Sequence, residues 1–83
     1  MNTQDMIKRY LMEELLGDHT NLGVDDNLLL GGLVDSLGVM RLVGFIEERF
    51  GIHVPPEDVT IEHFRSVRVI AEYVESRVAT GAA

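Results

Sequence analysis

The sequence has no cysteine, which removes a disulfide framework, a thiolate nucleophile and any Cys-based zinc site. Basic side chains are scarce, seven against fourteen acidic ones, for a formal charge of −7. That balance disfavours the phosphate backbone of nucleic acids and anionic membrane surfaces, and it favours partners with basic patches. No stretch approaches the roughly 18 continuous apolar residues needed to cross a bilayer, and the first residues lack a signal-peptide pattern. A cytoplasmic protein without nucleic-acid or membrane partners is expected. Eighty-three residues are expected to form one domain, close to the size at which a single apolar core is only just sufficient. Without disulfides, its stability must come from helix packing.

Groups that carry chemistry are equally sparse. His19, His53 and His63 are dispersed, and none has metal-ligand spacing such as i, i+4 with an intervening Glu, so they read as surface or turn histidines. A serine nucleophile needs a base held by an orienting group, and the surroundings of Ser36 show neither a nucleophile elbow nor a paired His. Gly31-Gly32 has neither the spacing nor the lysine of a phosphate loop. Asp18 to Leu29 is no EF-hand, because the oxygen ligands do not alternate and the twelfth residue is Leu29 rather than Glu. Neither a catalytic group nor a metal site can be assembled.

Helical periodicity dominates what is present. From Asn2 to Leu16, Ile7, Leu11 and Leu15 recur at i, i+4, i+8, with Tyr10 beside them. Asn2 or Thr3 is placed to cap this helix, Asp5 suits its positive end, and Gly17 suits its stop. A second helix is expected from Ser36 to about Phe50, with Leu37, Leu42 or Val43, Ile46 and Phe50 at helical spacing and Gly51 closing it. Gly38 and Gly44 inside it each cost up to about 1 kcal/mol relative to Ala; they mark either a close approach by a partner or local tolerance backed by packing. Ile52-His53-Val54 should be extended ahead of Pro55-Pro56. A short helix then starts at Pro56 and ends near Phe64, with Val59, Ile61 and Phe64 as core contacts. Ser66 caps a last helix whose stripe is Val67, Ile70, Ala71, Val74 and Val78, with Tyr73 close by. Residues 80–83 read as a disordered tail. The long connection from Gly17 to Val34 is too apolar for a solvated linker and should fold over the bundle, with Leu22, Val24, Leu28, Leu29, Leu30 and Leu33 as the side chains available for burial. The expected fold is a small all-α four-helix bundle, three principal helices plus a short third one, with a long loop between the first two.

The stretch from Leu33 to Met40 joins that loop to the second helix. Ser36 and Asp35 are both suited to a helix start, where side-chain oxygens accept from first-turn amides lacking partners. Ser36 is expected at the mouth of the helix with its hydroxyl near solvent.

Asp35-Ser36-Leu37, followed by Leu42, Ile46-Glu47-Glu48, Phe50-Gly51-Ile52 and Val54-Pro55, resembles the phosphopantetheine attachment region of acyl and peptidyl carrier proteins. Phe64-Arg65-Ser66-Val67 and Ile70-Ala71-Glu72-Tyr73-Val74 are similar to their last helix, so the resemblance covers nearly the whole chain. It implies a freestanding carrier domain over residues 1–79, and not an enzyme. Ser36 would be modified by a phosphopantetheinyl transferase, which moves 4′-phosphopantetheine from coenzyme A onto the hydroxyl. The thiol of that arm would hold acyl or aminoacyl groups as thioesters, which accounts for the absent cysteine. Asp35 would act in recognition or near a metal during transfer, and Leu37 would contact either the transferase or the core. The positive end of the helix favours the phosphodiester.

Gly38 and Arg41 stand where carriers of fatty acid synthesis commonly have acids, while Glu47 and Glu48 keep the later part of the helix acidic. With Met40, these four are the candidate recognition residues, because recognition depends on where charges sit as well as on their sum. A dedicated pathway is therefore expected, such as polyketide, nonribosomal peptide or specialised acyl or aminoacyl transfer. The carrier would be a monomer serving loading and processing enzymes with basic docking patches. A housekeeping fatty acid carrier and an unmodified acidic interaction module are the alternatives.

Overall fold

The computed structural model describes residues 2–16 and 22–79, the side chain of Leu16 excepted. Gly17 as a helix stop, His19 as a surface histidine and the tail at 80–83 fall outside the described residues. Among the described residues every regular element is helical. α1 spans Thr3–Tyr10, α2 Ser36–Phe50, α3 Ile61–Phe64 and α4 Val67–Ala79.

Asn2 caps α1, its Oδ1 accepting from the Asp5 amide at 2.8 Å. The helix continues as a π-helical stretch over Leu11–Leu16, in which bonds close at i→i+5. Ile7 and Leu11 face the core, where α1 packs chiefly against α4.

α2 buries Val39, Leu42, Val43 and Ile46, the i, i+3, i+4, i+7 pattern of a one-sided helix. Leu37 does not belong to that stripe and is 69% exposed. It lies two residues before Val39, roughly 200° around the helix and so on the opposite face. Gly51 ends α2 at φ 66°, a left-handed conformation suited to glycine, and its N–H bonds to the Glu47 carbonyl at 3.0 Å.

The two glycines inside α2 separate clearly. A Cβ on Gly38 would lie 2.9 Å from Val34 Cγ1, whereas one on Gly44 would meet nothing within 4 Å. The close approach at Gly38 is therefore made by the chain's own loop, and Gly44 is the tolerated one. Gly44→Ala is expected to raise stability by about 1 kcal/mol, the helix-propensity difference, shifting the urea midpoint without changing the slope. Gly38→Ala should lose that gain to the collision with stiff, buried Val34; equal stabilisation by both would refute this account.

The loop ahead of α2 is folded down as expected, but not along its whole length. Leu22, Leu28 and Val34 are buried and Val24 and Leu29 half-buried, whereas Leu30 and Leu33 face solvent. Its hold on the far helices is made by backbone and charge. The Leu28 amide donates to the Arg65 carbonyl at 2.7 Å, the Arg68 amide donates to the Val24 carbonyl at 2.9 Å, and the Arg68 guanidinium forks onto Asp25 at 2.6 and 3.1 Å.

The expected short helix from Pro56 to Phe64 is broken in two. A 3-10 turn covers Pro56–Asp58, and α3 starts only at Ile61. Between them Val59 has ψ 80° and Thr60 is fully extended, consistent with two successive β-branched residues, which favour extended backbone. One consequence is that Ile61 is 57% exposed, with Phe64 the one residue of α3 in the core.

Ser66 caps α4, its Oγ accepting from the Val69 amide at 3.3 Å. Val67, Ile70, Ala71, Tyr73 and Val74 are buried. Val78, expected on the same stripe, is half-exposed.

Candidate functional site

Asp35, not Ser36, caps α2. It is the residue before the helix, extended at φ −96° and ψ −175°, and its Oδ1 accepts from the Gly38 amide at 2.8 Å. Only the residue preceding the first helical one has the geometry to reach that amide. Ser36 is thereby released from capping. It is exposed as the first residue of α2, and no hydrogen bond among the described residues engages its hydroxyl. A nucleophilic serine needs an adjacent base, and Ser36 has none bonded to it. What it offers is an accessible hydroxyl at the positive end of a 15-residue helix, where an anionic group is favoured.

Beside Ser36 lies a cleft of about 490 Å³. Its near wall is Val34, Val39 and Met40; its far wall is Val59, Ile61 and Phe64, with Asp35 and Thr60 supplying polar edge. Met40 at 62% and Ile61 at 57% exposure form apolar lips. On the other flank a hollow of about 270 Å³ is bordered by Gly32, Leu33, Leu37 and Arg41.

The residues predicted to take part in recognition divide three ways. Met40, Arg41 and Glu48 are exposed on α2, as is Leu37. Gly38 is buried beneath Val34 and presents no surface. Glu47 is turned inward, its Oε2 accepting from the Val54 amide at 2.8 Å and lying 3.2 Å from His53 Nδ1, so it secures the chain after α2. The first turn of α2 has no acidic residue. His53 is exposed, and no group of three or more His, Asp or Glu among the described residues is arranged to hold a metal ion.

Next in sequence to the far wall lies a cluster that the sequence did not announce. Tyr73 of α4 donates its hydroxyl to Asp58 Oδ2 at 2.6 Å, and His63 Nδ1 lies 2.9 Å from the Asp58 carbonyl. A carbonyl only accepts, so this contact is a hydrogen bond in the tautomer protonated on Nδ1, with Thr60 Oγ1 a second neighbour of Nδ1 at 3.2 Å. The His63 ring packs on Tyr73 with centroids 4.8 Å apart. Burial, and then the hydrogen bond to Asp58, push the Tyr73 hydroxyl from 10.0 up to about 12. A folded-state value above the unfolded one gives stability that is complete below the unfolded value and lost as pH rises through the folded value. Melting temperature should therefore fall from pH 10 to about 12, and Tyr73→Phe should flatten that part of the profile. An equally steep decline in the variant would exclude Tyr73 as its cause.

Comparison with known proteins matches most of the chain. Residues 9–74 match the family described as "Phosphopantetheine attachment site". The D-alanyl carrier protein of Abiotrophia defectiva is 40% identical over 70 residues, covering 83% of this chain and 89% of its own. The acyl carrier protein of Helicobacter hepaticus is 29% identical over 76 residues, covering 92% and 97%. That of Phytoplasma mali is 31% identical over 72 residues, covering 87% and 83%.

Proposed function

Because the chain belongs to the phosphopantetheine-attachment family of carrier proteins, which carry intermediates and do not catalyse, we propose that Ser36 is its attachment residue. The observation that carries this is the Ser36 hydroxyl, exposed on the first residue of α2 and free of hydrogen bonds because Asp35 has taken the cap. The residues present fit the group. Ser36 provides the acceptor oxygen for transfer from coenzyme A, the first-turn amides and helix dipole favour the phosphodiester, and the cleft alongside offers apolar walls. Asp35 holds the Gly38 amide and so keeps the start of α2 in place beneath the serine. When attached, the group supplies the thiol that this chain lacks.

The cargo we infer is aminoacyl, and the pathway a dedicated one. The 40% identical relative is named a D-alanyl carrier protein, which makes D-alanine the first cargo to try. The surface near Ser36 supports a dedicated partner set: Leu37, Met40 and Arg41 are exposed there, with no acid in the first turn of α2. Acidic side chains available to basic docking patches sit further off, at Glu48, Glu57 and Glu62. Docking at the serine end therefore meets apolar side chains, the Arg41 cation and the exposed cap carboxylate of Asp35, and further electrostatic attraction acts from the flanks. The carrier works as a monomer in the cytoplasm, where coenzyme A is available; no helix among the described residues is long and apolar enough to cross a membrane.

Incubation with coenzyme A and a promiscuous transferase, followed by intact mass and tryptic mapping, tests the attachment. One adduct is expected on the peptide from Tyr10 to Arg41, with fragmentation assigning it to Ser36. An unmodified protein, or an adduct elsewhere, overturns the reading. The modified carrier offered to a D-alanine-activating enzyme and to a fatty acyl-transferring enzyme should be loaded faster by the first; the reverse would make it a fatty acid carrier.

A further inference from the structure

The far wall of the cleft is tied down at each end, with half-buried Val59 resting on the core between them. At the C-terminal end of α3, Phe64 is buried and the following Arg65 carbonyl accepts from the Leu28 amide at 2.7 Å. At its N-terminal end the hold is Asp58, gripped by Tyr73 through the carboxylate and by His63 through the carbonyl. Only five residues separate Asp58 from Phe64, and among them Val59, at ψ 80°, and extended Thr60 lie outside any helix. Across the cleft, Ile61 and Met40 are large apolar side chains left more than half exposed. Burying them against each other would be favourable, so the wall must be held back.

We propose that Tyr73, acting through Asp58, is a positioning residue that keeps α3 away from α2 and so holds open the apolar cleft next to Ser36, into which an apolar group on the attached arm can fold. This rests on the carrier reading of Ser36. His63 reinforces the hold by packing on the Tyr73 ring while donating to the Asp58 carbonyl. Tyr73 touches no loaded group; its effect passes through the wall. With the hydroxyl removed, α3 pivots about Phe64, Ile61 closes on Met40, and the shelter beside the serine shrinks.

Two measurements on the full-length chain test this. In the unloaded protein, Tyr73→Phe keeps the ring and its packing but removes the latch. Amide exchange at α3 should then rise about tenfold, the scale of one net hydrogen bond, with α2 and α4 unchanged. Acetyl and octanoyl forms are then made by transfer from the corresponding acyl-coenzyme A, and thioester hydrolysis is followed in mild base. In wild type the octanoyl thioester should hydrolyse at least about fourfold more slowly than the acetyl one, equivalent to sheltering a methylene or more. In Tyr73→Phe that ratio should move towards one. Asp58→Ala should reproduce both effects, and serves as the second variant if Tyr73→Phe fails to fold. A wild-type ratio of one, or an unchanged ratio in a folded variant, overturns the proposal. Failure of wild type to load at all overturns instead the assignment of Ser36.

Discussion

Ser36→Ala is expected to abolish attachment completely while leaving the fold almost untouched. Loss of loading follows because the side chain removed is the proposed acceptor, and no neighbouring hydroxyl among the described residues shares its position at the mouth of α2. Retention of the fold follows from Asp35. The cap bond to Gly38 comes from Asp35, and Ser36 is exposed with no hydrogen bond to its side chain among the described residues. Removal of an exposed, unbonded hydroxyl falls within the usual ±0.5 kcal/mol of surface substitutions, roughly 2–4 °C for a domain this small. Asp35→Ala should behave in the opposite way. It removes a cap worth about 0.5–2 kcal/mol, lowering the melting temperature by roughly 4–8 °C per kcal/mol, yet leaves the acceptor hydroxyl in place. Intact mass after transferase treatment, together with thermal melts of both variants, checks the pair. A Ser36→Ala protein that melts as early as Asp35→Ala would return Ser36 to a capping role.

The division of labour between those two residues shows where sequence reasoning stops. Ser, Asp and the apolar period place a helix start at this point, because capping chemistry is local. Which of two adjacent capping residues takes the amide depends on a one-residue register, and the sequence allows both. The same limit appears at Leu37, which reads as core on spacing alone until the register of Val39, Leu42 and Ile46 turns it outward. The bounds of α2 were legible: it starts at Ser36 and ends at Phe50 and Gly51, as its pattern requires. The cleft was not legible. Behind its far wall lies a hydrogen bond between residues 15 apart in sequence, Tyr73 and Asp58, and neither residue type at either position signals the other. Gly38 was half legible, since an interior helical glycine calls for a reason but not for which atom, Val34 Cγ1, supplies it.

Phe64→Ala should be among the most damaging single substitutions for stability. The side chain is 2% exposed, and truncating a buried Phe costs about 3–5 kcal/mol. At about 0.05–0.15 kcal/mol per residue, a chain of this length has only some 4–12 kcal/mol in total. The location makes the upper part of the range the expectation. Phe64 is the core residue of α3, sits 6.1 Å from the Tyr73 ring centroid, and precedes the Arg65 carbonyl that anchors the Leu28 amide at 2.7 Å. Losing it loosens α3, the wall of the cleft and the buried part of the loop before α2 together. Ile61→Ala, one helical turn away but 57% exposed, should stay within about 0.5 kcal/mol. Urea titration of both variants measures the difference, and amide exchange locates it: Leu28 and α3 should lose protection first in Phe64→Ala. A cost below about 1 kcal/mol would mean that α3 is not anchored through Phe64, and the pivot on which the cleft geometry depends would have to lie elsewhere.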